Sequence, residues 1–440
     1  MKFRTAFFLV MLLGCLTNAW ADGAAATSSA ASTNSGNGLG MGMEFGSLTI
    51  DGIDYNTIRL QPDINLGFFG VGLDLNFEFD GDGNFRMTEW NSWQAIVSKI
   101  QYLRFGQKSD SFYLKVGSIS DFVLGNGMIV NGYNNALNEP AMRKLGLAWN
   151  MDFKYIGFQT MVGNLLALDV LGGRAYARPF VDLKIPFIDK VEFGATIAVD
   201  RDPQNPAPSA STPYDFLINP TNICTNVVVW GADITAPLLD IGIFSLKTYL
   251  DFAAIAGKGM GEVLGVSGRI ISFIPYKLEI NNLQKQFVPG YFDVFYDIDR
   301  STKYDSLDSY SNSVFGGLFQ SGVSLFNDMM SFLVTINMPD MTFVQKPYMI
   351  FTAKINHDLT KKVDLSFSLI QRNITSIGDL AAFMSTNTTA NTNTVVQFNL
   401  TYYISDNVAL TLNYQQTFQL DSSGTVEPYS STVFNTKISF

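Results

Sequence analysis

Histidine, cysteine and charge are all scarce in this chain of 440 residues, and each scarcity closes a line of chemistry. A single histidine, His357, excludes a histidine-built metal cluster and leaves one imidazole base for nucleophilic catalysis. No G-x-S-x-G elbow accompanies it, so an esterase reading has no nucleophile and no enzyme is expected. The two cysteines are Cys15 and Cys224, too few for a disulfide framework once the leader is removed. Charged residues make up 15% of the chain, against about a quarter in typical soluble domains. That deficit is hard to reconcile with a surface that meets water on all sides. The net charge of −10 argues against nucleic acid as a partner.

What is abundant points elsewhere. Hydrophobic residues reach 47% and aromatics 13%. Yet beyond the first 21 residues no apolar run approaches the roughly 18 residues of a spanning helix. Residues 1–21 read as a secretory leader: Lys2 and Arg4 form its basic start, Phe7 to Leu13 its apolar centre, and Ala19-Trp20-Ala21 its cleavage site. Leu12-Leu13-Gly14-Cys15 loosely matches a lipoprotein box, which would instead leave Cys15 lipidated. Either route exports the chain. Residues 22–42, rich in Ala, Ser, Thr, Asn and Gly, read as a disordered tether.

The body, residues 43–440, alternates. Val71, Leu73, Leu75, Phe77 and Phe79 interleave with Gly72, Asp74, Asn76 and Glu78. The same period of two runs through 145–153, 363–369 and 408–414. With flanking residues these segments approach the roughly 9–11 residues of a tilted membrane strand. Phe434, Ile438 and Phe440 share one face of the last strand, an aromatic-terminated insertion signal for an outer-membrane barrel. The fold expected is therefore all-β, a transmembrane antiparallel β-barrel of roughly 14 to 18 strands, even numbers being usual. A soluble secreted sandwich gives the same alternation; the leader, the low charge and the terminal Phe440 favour the barrel. Short turns at 358–361 and 405–407 would face the periplasm, and long stretches at 201–226, 284–315, 373–393 and 419–430 the exterior.

One segment breaks the period. Trp90, Trp93, Ile96, Val97 and Ile100 recur at three- and four-residue spacing after Thr88, a candidate N-cap, which predicts a short helix over 88–99. It would plug the lumen or pack at the rim. Among charged positions, Arg59, Asp74, Glu78, Arg104, Lys115, Arg174 and Arg178 fall in or beside predicted strands. So do Arg143, Lys144, Asp152, Asp182 and Glu192. On a lipid face a basic residue costs about 2–4 kcal/mol at the midplane, so these residues are expected at the lumen or the interfaces, the first seven as pore-lining or constriction candidates. Facing acids and bases would set a transverse field across a constriction. Asp80, Asp82 and Asn84 open like a calcium loop, but Phe85 and Asn91 stand where that loop needs Gly and Glu; a tight acidic turn is the simpler reading. Gly125-Asn126-Gly127 and the Asn131–Asn135 run lack a phosphate-loop ending, and their glycines suit bends or close backbone approach inside a barrel. No cofactor and no metal are expected.

The runs Leu103–Lys108, Phe112–Gly117 and Leu124–Tyr133 resemble uncharacterised outer-membrane proteins of spirochaete type, over about residues 57–200. A weaker similarity is to the long-chain fatty-acid transporter type of barrel, which shares the size and an internal hatch. That family carries its hatch before the first strand, whereas strands precede 88–99 here. The resemblance implies a cell-envelope barrel and names no substrate. The function expected is an outer-membrane pore or transporter for passive or gated passage of small solutes. Alternatives are a hydrophobic-substrate channel, and a surface barrel acting as adhesin or structural protein. Expected partners are outer-membrane lipid, the barrel assembly machinery and a small-molecule solute, with a homo-oligomer left open.

Overall fold

The computed structural model describes residues 38–50, 53–136, 144–204, 226–374, 394–420 and 426–439. The leader, most of the tether, Arg143, Cys224 and Phe440 lie outside them. More than half of the described residues belong to one antiparallel sheet. It opens with β1 (Gly38–Ile50), β2 (Ile53–Asn65), β3 (Phe69–Leu73) and β4 (Leu75–Phe79). It continues through β5 (Ile100–Phe105), β6 (Phe112–Gly117), β8 (Gly146–Asp152), β9 (Ile156–Val162), β10 (Val170–Ala177) and β11 (Glu192–Asp200), with β7 (Val130–Asn131) set aside. The long strands follow: β12 (Val227–Asp240), β13 (Phe244–Ile255), β14 (Met260–Ile270) and β15 (Ile274–Leu283). After β16 (Phe292–Asp293), also off the sheet, come β17 (Val314–Leu325), β18 (Met330–Met338), β19 (Tyr348–Ile355) and β20 (Val363–Gln371). The last three are β21 (Thr394–Ser405), β22 (Val408–Leu420) and β23 (Val426–Ser439).

The sheet closes on itself. β1 pairs with β23 from Gly40 opposite Ser439 to Gly46 opposite Val433, so neither strand is an edge. Of the 21 segments in this sheet, β3 and β4 are halves of one stave, both paired to β2, which makes 20 staves. That exceeds the number expected from sequence. The shortest staves are among those hardest to count: β5, β6 and β9 are only 6, 6 and 7 residues long, too short to show a full period. β1 also starts inside the expected tether: Gly38, Gly40 and Gly42 alternate with Leu39, Met41 and Met43 and are held by backbone pairing to β2. Likewise 419–420 and 426–430, expected in a loop, extend β22 and β23.

Alternation decides which face is which. In β11, Gly194, Thr196 and Ala198 are buried while Phe193 and Ile197 are exposed. In β14, Gly265 is buried and Leu264 is 55% exposed. Around the ring the exposed face carries Trp149, Trp230, Leu250, Ile280, Phe315, Phe319 and Phe434, and the buried face carries Arg59, Asp74, Glu78, Asp233 and Asp251. An apolar outside around a polar inside is the inverse of a soluble domain and the construction of a membrane barrel. No helix of the described residues is long and apolar enough to span a membrane, and none is needed.

The two ends differ. Turns such as 66–68, 153–155, 241–243, 271–273, 326–329 and 406–407 gather at one end with Gly38 and Ser439; we call this the turn end. Connections 80–99, 284–313 and 339–347, and the segment 118–136, leave the opposite, loop end. The inverted faces make a direct stability test. Leu264→Arg on the outer face is expected to cost about 2–4 kcal/mol in vesicles, the midplane cost of an arginine. Asn399→Arg points inward, where Asn399 Nδ2 donates to Ser366 Oγ, and is expected to leave stability largely unchanged in the same urea titration.

Candidate functional site

The helix foreseen at 88–99 is shorter and lies elsewhere. A 3-10 turn spans Met87–Glu89 and α1 spans Trp93–Val97; Ser92, not Thr88, caps it by accepting from the Ala95 amide at 3.1 Å. Trp90 stacks on Phe77 at 4.9 Å, on the outer side of β4, and its Nε1 donates to the Asn76 carbonyl. Trp93 is 61% and Ile96 48% exposed, while Gln94, Ala95 and Lys99 are buried. The element patches the wall beside β4 and β5; Trp90, Trp93, Ile96 and Val97 do not fill the lumen.

Two other segments do. Residues 118–136, with β7, fold inward from the loop end, and residues 284–313 fold in beside them carrying β16 and α2 (Tyr296–Ser306). β7 and β16 pair in parallel, Val130 with Phe292 and Asn131 with Asp293. Around this ladder Tyr133, Tyr291, Phe292, Tyr296, Phe287 and Leu307 are fully buried. They pack with the inward residues Ala148, Met161, Val170, Ala198, Val229 and Ala253 of the wall. The stretch 284–315 expected at the exterior is thus largely interior, a correction with a plain cause: its charges meet partners on the wall instead of water.

Those partners span the mouth. The Arg300 guanidinium donates Nε to Asp200 at 2.5 Å and Nη1 to Asp169 at 2.8 Å, and the Tyr296 hydroxyl donates to Asp200 at 2.6 Å. Asp297 accepts from Lys144 at 2.7 Å and from the Tyr133 hydroxyl at 3.0 Å, tying the two segments together. On nearly the opposite side of the ring, Arg372 donates to Asp299 at 2.6 Å and stacks over Phe295, beside Ile350 and Ile370 of β19 and β20. The plug is therefore a bridge across the lumen, anchored at both banks.

Its tip reaches deeper. Gly125, at φ +61°, lies so close to the wall that a Cβ there would stand 3.0 Å from Arg174 Nε and 3.3 Å from Asp233 Oδ2. Asn126 Nδ2 donates to Asp251 at 2.8 Å and to Thr235 at 3.0 Å, and its carbonyl accepts from Lys277 at 3.2 Å. The close approach expected of the Gly125-Asn126-Gly127 glycines is what the tip makes. Beneath it Arg174 is forked onto Asp233 at 3.0 and 2.6 Å and reaches Glu192 at 2.8 Å. The fork crosses Gly194 of β11, where a Cβ would stand 2.3 Å from Asp233 Oδ2.

The other candidates fall into two groups. Arg59 pairs with Asp74, and Glu78 accepts from Arg86 at 2.6 Å, inside the wall of β2 and β4. Arg104 sits nearer the turn end, donating to Asn65 and to the Gly67 and Gly106 carbonyls, so it closes turns. Arg178, at the same end, bridges Asp152 and Glu192; Asp182 pairs with Lys154 in the open. Lys115 stands opposite Arg104 on β6. These charges pair along the wall with neighbouring strands, which weakens a field directed across the pore. Asp80 spends its carboxylate on its own turn, accepting from the amides of Asp82 and Asn84 and the Asn84 side chain. These bonds, the Asn84 side chain foremost, hold its carboxyl below its ordinary value. Among the described residues no group of three His, Cys, Asp or Glu could hold a metal.

Sequence reasoning missed Asp169, Asp200, Asp233, Asp251 and Arg300, because their partners lie far along the chain: Arg300 and Asp200 are 100 residues apart.

No protein-family model matches the chain, and no curated protein matches it. Solved structures are similar at low identity. Wzi, an outer membrane protein involved in group 1 capsule assembly in Escherichia coli, is 11% identical with a TM-score of 0.34, covering 92% of this chain and 84% of that one. Pseudomonas aeruginosa OccK10 (OpdN) is 8% identical with a TM-score of 0.37, covering 92% and 99%. The siderophore receptor PirA from Acinetobacter baumannii is 11% identical with a TM-score of 0.38, covering 92% and 81%. With all three TM-scores below 0.5, the fold of this chain rests on its own strand pairing.

Two measurements check the plug's seating. Gly194→Val is expected to part Arg174 from Asp233 and raise hydrogen exchange across 118–136 while β12 to β15 stay protected; unchanged exchange in 118–136 would contradict the seating. The second concerns Asp340, whose loop places Gln345 to donate to the Phe287 carbonyl at 2.6 Å. Burial pushes the Asp340 carboxyl up, but the Thr342 hydroxyl and the amides of Thr342, Gln345 and Val344 outweigh it and hold the group below its ordinary 3.8. A depressed folded value means stabilisation that is present above 3.8 and lost as pH falls through the lowered value. Exchange in 339–347 is expected to rise on acidification into that range, and Asp340→Asn is expected to abolish the dependence.

Proposed function

We propose that the chain is an outer-membrane pore or transporter for small solutes, closed at rest by the two inward segments. The observation that carries this reading is the plug's attachment. Its apolar core packs on the wall, but it is also tied there by ion pairs and hydrogen bonds, Arg300 to Asp169 and Asp200 and Asn126 to Asp251, which can exchange with water without unfolding a strand. A wall that existed only to anchor surface loops would gain nothing from a lumen lined by Arg174, Asp233, Asp251, Lys277 and Glu279. On this reading the chain performs no catalysis, the leader directs export, and β23 is the strand met by the barrel assembly machinery. Kinship with outer-membrane proteins of spirochaete type belongs to the same proposal.

A hydrophobic-substrate channel finds less support. It would gain from an apolar lumen pocket closed by Trp90 and Trp93, and these lie on the outer side of the wall. The adhesin reading differs in one outcome, since it passes no current in any state.

Planar bilayers separate these. The native barrel is expected to conduct little, with brief openings. Arg300→Ala leaves Asp169 and Asp200 buried without their cation, a change worth about 3–5 kcal/mol, and should dislodge the plug and multiply open time at least about tenfold. Heat-modifiable gel mobility checks that the variant barrel has folded. Silence from the native chain, Arg300→Ala and a chain lacking 285–309 would overturn the pore reading in favour of a surface anchor.

A further inference from the structure

Four strands place a row of donors side by side on the inner wall. Lys247 of β13 stands opposite Ser267 of β14, Ser267 opposite Lys277 of β15, and Lys277 opposite Gln320 of β17. Their parity is that of buried Tyr249, Asp251, Gly265 and Asn281, while Leu250, Leu264 and Leu278 face out, so all four point into the lumen. The row lies toward the turn end of the plug tip, next to the Asn126 carbonyl that Lys277 holds.

The two lysines are differently placed. Lys277 is matched by Glu279 at 2.8 Å. Lys247 makes no ion pair or hydrogen bond among the described residues; its ammonium lies 5.7 Å from the centroid of the Tyr249 ring, with Glu192 and Asp251 near enough to act on it only at longer range. The Lys277 ammonium lies at the same 5.7 Å from that ring, so the two nitrogens are no more than twice that distance apart. Tyr249 itself is fixed: it lies over Gly265, where a Cβ would stand 2.1 Å from the ring, and its hydroxyl donates to Glu279 at 2.7 Å. The nearby acids are engaged elsewhere. Asp233 and Glu192 hold Arg174, and Asp251 accepts from Asn126 through Oδ1, its Oδ2 being without a partner among the described residues. Ser267 lies between the lysines in the ladder, and its hydroxyl has no hydrogen-bond partner among the described residues. Strands about 4.8 Å apart put the lysine backbones roughly 10 Å apart, so both side chains can close on one group seated over Ser267.

We propose that Lys247, Ser267, Lys277 and Gln320 form a binding site for a small oxyanion, phosphate-like in its charge and acceptor count. The uncompensated charge is the driving element: in a confined lumen an ammonium without a protein carboxylate attracts a mobile anion. The Ser267 hydroxyl and the second amide hydrogen of Gln320, whose Nε2 already donates to Thr335 Oγ1 at 3.0 Å, supply neutral donors that read oxygen acceptors, which chloride presents less well. The site deepens the pore reading by naming a solute class, but its binding step does not depend on conduction.

The test has two arms on the full mature chain. In detergent, binding of inorganic phosphate is followed by phosphorus NMR line broadening and by thermal stabilisation, against chloride at equal ionic strength. Phosphate is expected to stabilise beyond chloride, Lys247→Gln to bind about tenfold more weakly, the scale of one charge-assisted contact, and Lys247→Arg to retain binding. In bilayers, Lys247→Glu is expected to shift the reversal potential in a potassium chloride gradient toward cation preference. If phosphate stabilises no more than chloride, or Lys247→Gln binds as the native chain does, the site is refuted. Phosphate binding lost in Lys247→Gln by a barrel that never conducts supports the site and contradicts the pore reading. Conduction with no phosphate effect and an unmoved reversal potential does the reverse.

Discussion

The pairing of β1 with β23 is the contact on which the remainder of the molecule depends. A strand in hydrocarbon cannot leave its amides and carbonyls unpaired, because nothing in lipid can replace the missing bonds. The ladder from Gly40–Ser439 to Gly46–Val433 satisfies the last two edges and makes an inside distinct from an outside. Only after closure can alternation sort side chains, sending Leu264, Ile280 and Phe319 toward lipid and Arg59, Asp74, Glu78 and Asp251 into the lumen. Charges that would be prohibitive outside are tolerated inside because most meet a partner on the wall or the plug, as Arg59 meets Asp74, Arg174 meets Asp233 and Asp251 meets Asn126.

Closure also creates the problem that the plug addresses. A ring of 20 staves, one fewer than its 21 segments, encloses more space than wall side chains can fill. Residues 118–136 and 284–313 fill its loop-end half with an aromatic core around the β7–β16 ladder. Packing alone would make that core permanent. Its fastenings are of another kind: Arg300, Lys144 and Arg372 at the mouth and Asn126 at the tip bind by charge and hydrogen bonds that water or a solute can compete for. A rigid wall with a separately fastened interior is the arrangement from which passage and its control can both be obtained.

Much of the wall was legible in the sequence. The period of two over 71–79 and 145–153 assigns the correct face to Asp74, Asn76, Glu78 and Ala148 on one side and to Phe77, Trp149 and Phe153 on the other, because a strand's two faces differ in solvent and one residue flips the choice. Arg59 and Arg174 were placed inward by the same cost argument. The interior was not legible. Residues 284–313 carry Asp, Lys, Arg and Ser at loop-like density, and nothing local reveals that Arg300 is answered by Asp169 and Asp200, 131 and 100 residues earlier in the chain. The helical spacing of Trp90, Trp93 and Ile96 pointed to a helix over 88–99 of which only Trp93–Val97 forms, and periodicity reports a face and not which solvent that face meets. In a membrane protein an apolar stripe can look outward, as Trp93 does.

The central claim is that this chain is a closed barrel whose apolar face requires lipid. It is tested most directly by refolding the mature chain with and without lipid vesicles, then recording circular dichroism and gel mobility before and after boiling. Strand-rich spectra and heat-modifiable mobility in vesicles alone are the result this structure requires. A chain that is strand-rich, soluble and monomeric without lipid would contradict it.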